Sequence, residues 1–127
     1  MSIEQLAETA LAMVAAGKGI IAIDESTATI AKRFAGVGIE NSEENRRAYR
    51  ELLLTTPNLS DYISGAILFD ETLRQSTKAG VPFAKLMAEN DRVLITSGDH
   101  MEVHGTTNTL RLLQVGAGGV AAGLGEL

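Results

Sequence analysis

The chain of 127 residues contains no cysteine. Disulfides, thiolate zinc sites and a cysteine nucleophile are excluded, and the cytoplasm is the compartment expected for it. Long apolar runs are missing as well: nothing approaches the ~18 consecutive apolar residues of a membrane-spanning helix. No basic stretch leads into an apolar segment at the N-terminus, so no signal peptide is expected. Basic residues never form a block of one sign and the formal charge is −5, which argues against nucleic acid or a membrane as partner. Proline occurs only at two positions, Pro57 and Pro82, and each reads as a helix boundary. What is present is 45% apolar residues, enough for one domain that buries roughly two-thirds of its unfolded surface.

Ser2 and Gln5 form a capping-box pattern ahead of Ile3, Leu6, Ala10, Met13 and Val14, which recur at helical spacing as far as Gly17. Ile20 to Ile23 is a short unbroken apolar run, as in a strand buried on both faces of a parallel sheet. It ends at Asp24, Glu25 and Ser26. A helix over about 29–35 stops near Gly36 and Gly38. Asn41 and Glu44 form a second capping-box pattern before a helix on which Tyr49, Leu52 and Leu53 share a face. Arg47 is spaced for i,i+4 pairs with Glu43 and Glu51. Ile63 to Phe69 is a second buried-type strand, and it too runs into acids, Asp70 and Glu71. A short helix to about Thr77, a break at Gly80 and a helix from Pro82 to Glu89 follow. Strands alternating with helices imply an α/β fold with a parallel sheet, whose chemistry sits at the carboxyl ends of the strands. Beyond Asn90, Val93–Thr96 and residues 109–115 read as two strands of a β-hairpin with a long polar loop. The glycine-rich stretch 116–127 reads as a flexible tail.

Asp24 stands where the first strand opens onto that face, placed to act as a general base or to orient a lysine; the alternative is that it caps the next helix. Ser26, Thr29, Lys32 and Arg33 offer hydroxyl and cationic donors to a phosphate, or else form a solvated helical face. Lys18 precedes the strand and reads as surface. Arg46, Arg47 and Arg50 read as a salt-bridged face. His100 and His104, with Asp99 and Glu102, have near-ligand spacing, but in a loop that spacing loses its geometric meaning and no metal is expected. Gly105 to Asn108 could cradle an anion, a weak signal alone.

Three stretches carry a resemblance. Gly17 to Phe34 resembles the pattern GKGILAADESTGTIAKRF, Glu43 to Leu53 the stretch EENRRAYRELL, and Ile63 to Leu73 the stretch ISGVILFEETL. Together they make residues 1–90 similar to the opening segment of the class I fructose-bisphosphate aldolases of glycolysis. The departures are Ala28 for a glycine, Ile23 for an alanine and Ala16 for a proline. The resemblance implies an incomplete (β/α)8 TIM-barrel fragment, a sugar phosphate as small-molecule ligand and no cofactor. It places Asp24 on the catalytic aspartate beside the Schiff-base lysine, and Thr29, Arg33 and more weakly Ser26 on phosphate-binding positions. None of Lys18, Lys32, Lys78 and Lys85 matches the nucleophilic lysine.

Residues 91–115 resemble the last two strands of pyruvate kinase, through Asp91–Asp99 (GDxVxxTxG) and Gly105–Arg111 (GxTNTxxV). The sequence therefore predicts a barrel fragment over 1–90, a pyruvate-kinase-like C-terminal β-hairpin over 91–115 and the tail over 116–127. Three readings follow: a truncated aldolase-family chain that is inactive alone, a non-catalytic module binding phosphorylated sugars, or a fusion artefact without its own function. Open sheet edges would favour self-association.

Overall fold

A computed structural model of the protein describes residues 2–88, 93–97 and 110–113. The elements run α1 (Ile3–Met13), β1 (Gly19–Ile23), α2 (Thr27–Ala35), α3 (Glu43–Leu54), α4 (Leu59–Tyr62), β2 (Ile63–Phe69), α5 (Asp70–Leu73), α6 (Phe83–Ala88), β3 (Val93–Ser97) and β4 (Leu110–Leu113). The strands form one sheet in the order β1-β2-β3-β4. β1 and β2 are parallel, as are β2 and β3, while β3 and β4 are antiparallel. This is the mixed helix and strand arrangement the sequence predicts. The strands after residue 90 join the same sheet as those before it. The hairpin connection, the histidine loop, Gly105 to Asn108, the Asn90/Asp91 seam and the tail lie outside the described residues.

The core gathers Ile23, Leu54, Ala66, Leu68, Phe83 and Met87. Each fully buried large apolar side chain contributes about 1.5–3 kcal/mol. β2 lies between two strands, and residues from both of its faces are buried. β1 departs from the sequence expectation: within the strand only Ile23 is buried, and Ile20 remains 39% exposed. It is an edge strand, so only part of its surface meets the core. α1 starts on the predicted Ser2 and Gln5 capping box. Its apolar stripe is largely unburied, because Thr9 is its one buried residue while Ile3 and Val14 stay exposed.

α3 corrects three further expectations. Ser42, not Asn41, is its cap and accepts from the Asn45 amide; the Asn41 side chain instead meets Arg46 and the Thr27 carbonyl. Leu52 faces solvent, and the inward positions are Arg50, Leu53 and Leu54. Arg47 pairs with Glu44 and Glu51, not with Glu43. Helix α5 ends at Leu73, short of Thr77, and a turn with Gly80 at φ 86° returns the chain to α6. That loop is held to α3 from two sides. Arg47 donates to the Ser76 carbonyl at 3.1 Å, and the Glu51 carboxylate accepts from the Lys78 amide at 3.1 Å.

Candidate active site

Parallel pairing sets the carboxyl ends of β1, β2 and β3 on one rim. Ile23 is level with Leu68, and Phe69 with Ser97. Asp24 and Glu25 follow β1 directly, and Asp70 and Glu71 open α5 straight after β2. Asp24 is half-buried, and its charge acts on Arg50. It does not cap the next helix. Ser26 does, accepting from the Thr29 amide at 3.3 Å, and the Ser26 and Thr29 hydroxyls are 3.1 Å apart. The structure thus brings Ser26 and Thr29 together one residue beyond Glu25. Arg33, one turn further along α2, reaches back to pair with Glu25. Lys32 is exposed on the same helix.

Beneath these residues lies a charged cluster that sequence reasoning missed. Arg50 is 1% exposed. Its Nε donates to the Ile23 carbonyl at 2.7 Å and its Nη2 to the Glu25 carbonyl at 2.9 Å. The two acceptors bracket Asp24, so one guanidinium grips the backbone on both sides of it. Nη2 also lies 3.3 Å from the Glu25 carboxylate. That carboxylate accepts from the Tyr49 hydroxyl at 3.1 Å and from Arg33. The Tyr49 ring packs edge-on against Phe34, with centroids 6.0 Å apart, and the Arg50 guanidinium sits over it at 5.3 Å.

The electrostatics follow from this burial. Loss of water pushes the Arg50 guanidinium below its usual value, and the Glu25 charge opposes the shift. Burial first and the Glu25 carboxylate second push the Tyr49 hydroxyl up, so it stays a donor. On the rim beside β2, Arg46 makes a bidentate pair with Glu71 at 2.9 and 2.7 Å, tying α3 to α5. The expected salt-bridged face therefore exists for Arg46 and Arg47, while Arg50 is internal. The missed signal lay in the helical period: Arg46 and Arg50 share a face with Leu53 and Leu54. An arginine on the apolar side of a helix calls for buried acceptors.

Residues 5–110 match the sequence profile of the family described as "Glycolytic: Fructose-bisphosphate aldolase class-I". The chain belongs to the class I fructose-bisphosphate aldolase family. Over 90 residues it is 87% identical to a probable fructose-bisphosphate aldolase class 1 of Xanthomonas campestris pv. campestris, covering 71% of this chain and 27% of that one. Over 90 residues it is 57% identical to the chloroplastic fructose-bisphosphate aldolase 1 of Chlamydomonas reinhardtii, covering 71% of this chain and 24% of that one. Among solved structures, it superposes on a Plasmodium falciparum fructose-bisphosphate aldolase in complex with TRAP and a small molecule inhibitor, with a TM-score of 0.71 and 44% identity. That match covers 86% of this chain and 32% of the other. The chain thus spans about a quarter of the length of the curated aldolases it matches. Among the described residues, no helix of this aldolase-family chain is long and apolar enough to cross a membrane.

Proposed function

We propose that the chain supplies the first two strand-to-helix units of an aldolase barrel, with Asp24 as the catalytic carboxylate at the end of the first strand. Ser26, Thr29 and Arg33 form the adjoining corner for a substrate phosphate. One observation carries this reading. The carboxylate ends a parallel strand, two hydroxyls stand together in the next turn, and a guanidinium is tied back towards them. The ligand class is a phosphorylated sugar, fructose 1,6-bisphosphate. The aldol reaction splits it reversibly into dihydroxyacetone phosphate and glyceraldehyde 3-phosphate. The similar Plasmodium falciparum aldolase carries a small molecule inhibitor, which fits a small-molecule site.

Imine chemistry needs an amine nucleophile in a desolvated pocket, and Asp24 is placed to orient such an amine or accept its proton. The lysines in hand do not offer it. Lys18 precedes β1 at the opposite rim, Lys32 and Lys78 are exposed, and Lys85 lies on α6. These residues therefore bind a sugar phosphate without cleaving it, and cleavage requires a lysine from outside them. The pyruvate-kinase-like reading of residues 91–115 rests on the two motifs alone.

Calorimetry with fructose 1,6-bisphosphate is the test. Heat of binding is expected for the natural sequence and is lost in Arg33→Ala. No heat at millimolar ligand would count against the phosphate corner. Turnover, with borohydride trapping of an imine on one of the four lysines named, would overturn the expected inactivity.

A further inference from the structure

Arg33 and Glu25 lie eight positions apart and are joined by an ion pair, yet the two side chains live in different environments: Arg33 keeps 58% of its side chain exposed, and Glu25 keeps 9%. A long cationic side chain left to solvent samples many rotamers, and ordering it on binding costs affinity. Here one nitrogen, Nη1, is held by a carboxylate that is itself fixed. Tyr49 donates to that carboxylate, Arg50 grips the Glu25 carbonyl, and the Arg50 charge lies beside the second carboxylate oxygen. More than half of the Arg33 side chain stays open to a ligand.

We propose that Glu25 is a positioning residue for phosphate recognition: it anchors Arg33 over the rim in the free protein, so that a phosphate monoester meets an ordered guanidinium. The inference rests on the phosphate corner proposed above. It also predicts an effect opposite to simple charge repulsion. An acid beside an anion site should weaken anion binding, and removing its charge should strengthen it. If Glu25 acts by positioning, removing the charge weakens binding instead.

The experiment uses the whole chain, titrated with inorganic phosphate while the arginine Nε–H groups are followed by NMR relaxation. In the free natural protein the Arg33 Nε–H is expected to be ordered on the nanosecond scale, as is that of buried Arg50. Glu25→Gln should free Arg33, leave Arg50 ordered as the sign of an intact fold, and weaken phosphate binding about two- to tenfold. Tighter or unchanged binding in a folded Glu25→Gln overturns the proposal while leaving the phosphate corner standing. A mobile Arg33 in the free natural protein overturns it without any variant. Equal phosphate binding by the natural protein and Arg33→Ala refutes the corner itself, and this inference with it.

Discussion

Arg50 carries a positive charge into the core, where an ion is tolerated only with its hydrogen bonds satisfied. Two carbonyls accept its hydrogen bonds, and the Glu25 carboxylate, 3.3 Å away, supplies the opposite charge. Breaking a buried pair by removing one partner typically costs about 3–5 kcal/mol, a large share of the ~5–15 kcal/mol stability of an ordinary domain. Arg50→Met should therefore abolish or nearly abolish cooperative unfolding in urea. Arg50→Lys should not restore it, because one ammonium cannot reproduce a planar fork reaching two carbonyls. An unchanged urea midpoint in Arg50→Met would remove the clamp from the account of stability. At this scale the sequence was legible in placement, where the residues are contiguous. Asp24, Ser26, Thr29 and Arg33 fall within ten positions, on a strand end and the helix after it. Glu25 and Arg50 were not legible, because their importance comes from a contact 25 positions apart that only the docking of α3 creates.

Among the elements, α3 and the loop after α5 share a titratable joint. Arg47, first, and the Lys78 amide hold the Glu51 carboxyl below the usual carboxylate range. A depressed folded-state value means that the stabilisation is complete above the ordinary value of 4.5 and fades as pH falls through the folded one. The Lys78 amide resonance should therefore titrate with a midpoint below 4.5, and the loop should loosen only under that pH. A midpoint at or above 4.5 would contradict the joint. Element boundaries were legible where chemistry punctuates them: Ser2 with Gln5, and the apolar run Ile63 to Phe69. The cap of α3 was misplaced by one residue because Asn41 and Ser42 are both good caps, and the choice fell to Asn41's pull on Arg46. Helix α4 escaped notice because it is a single turn, entered through Asn58 at φ 59°.

For the whole molecule, the order of helices and strands was readable from periodicity, but exposure was not. Period and polarity cannot tell an edge strand from a central one, and β1 is an edge. Gly19 to Ile23 carries no charge, proline or other device that natural edges use to discourage pairing. The 127-residue chain is expected to self-associate through that edge. Ile20→Lys should shift it towards monomer in sedimentation velocity without disturbing the core, since Ile20 is already 39% exposed. A natural chain that sediments as a monomer at high concentration and unfolds cooperatively would contradict this.

The grip of Arg50 on the Ile23 carbonyl also sets an order of events. The two residues are 27 positions apart, so a nascent chain can contain the whole strand end, Asp24 included, before the group that shapes it exists. Strand and carboxylate come first as sequence, and their geometry arrives only when α3 folds down. Local unfolding should run in reverse, dissolving the surroundings of Asp24 as soon as α3 lifts away, while the β2 ladder at the sheet's centre persists.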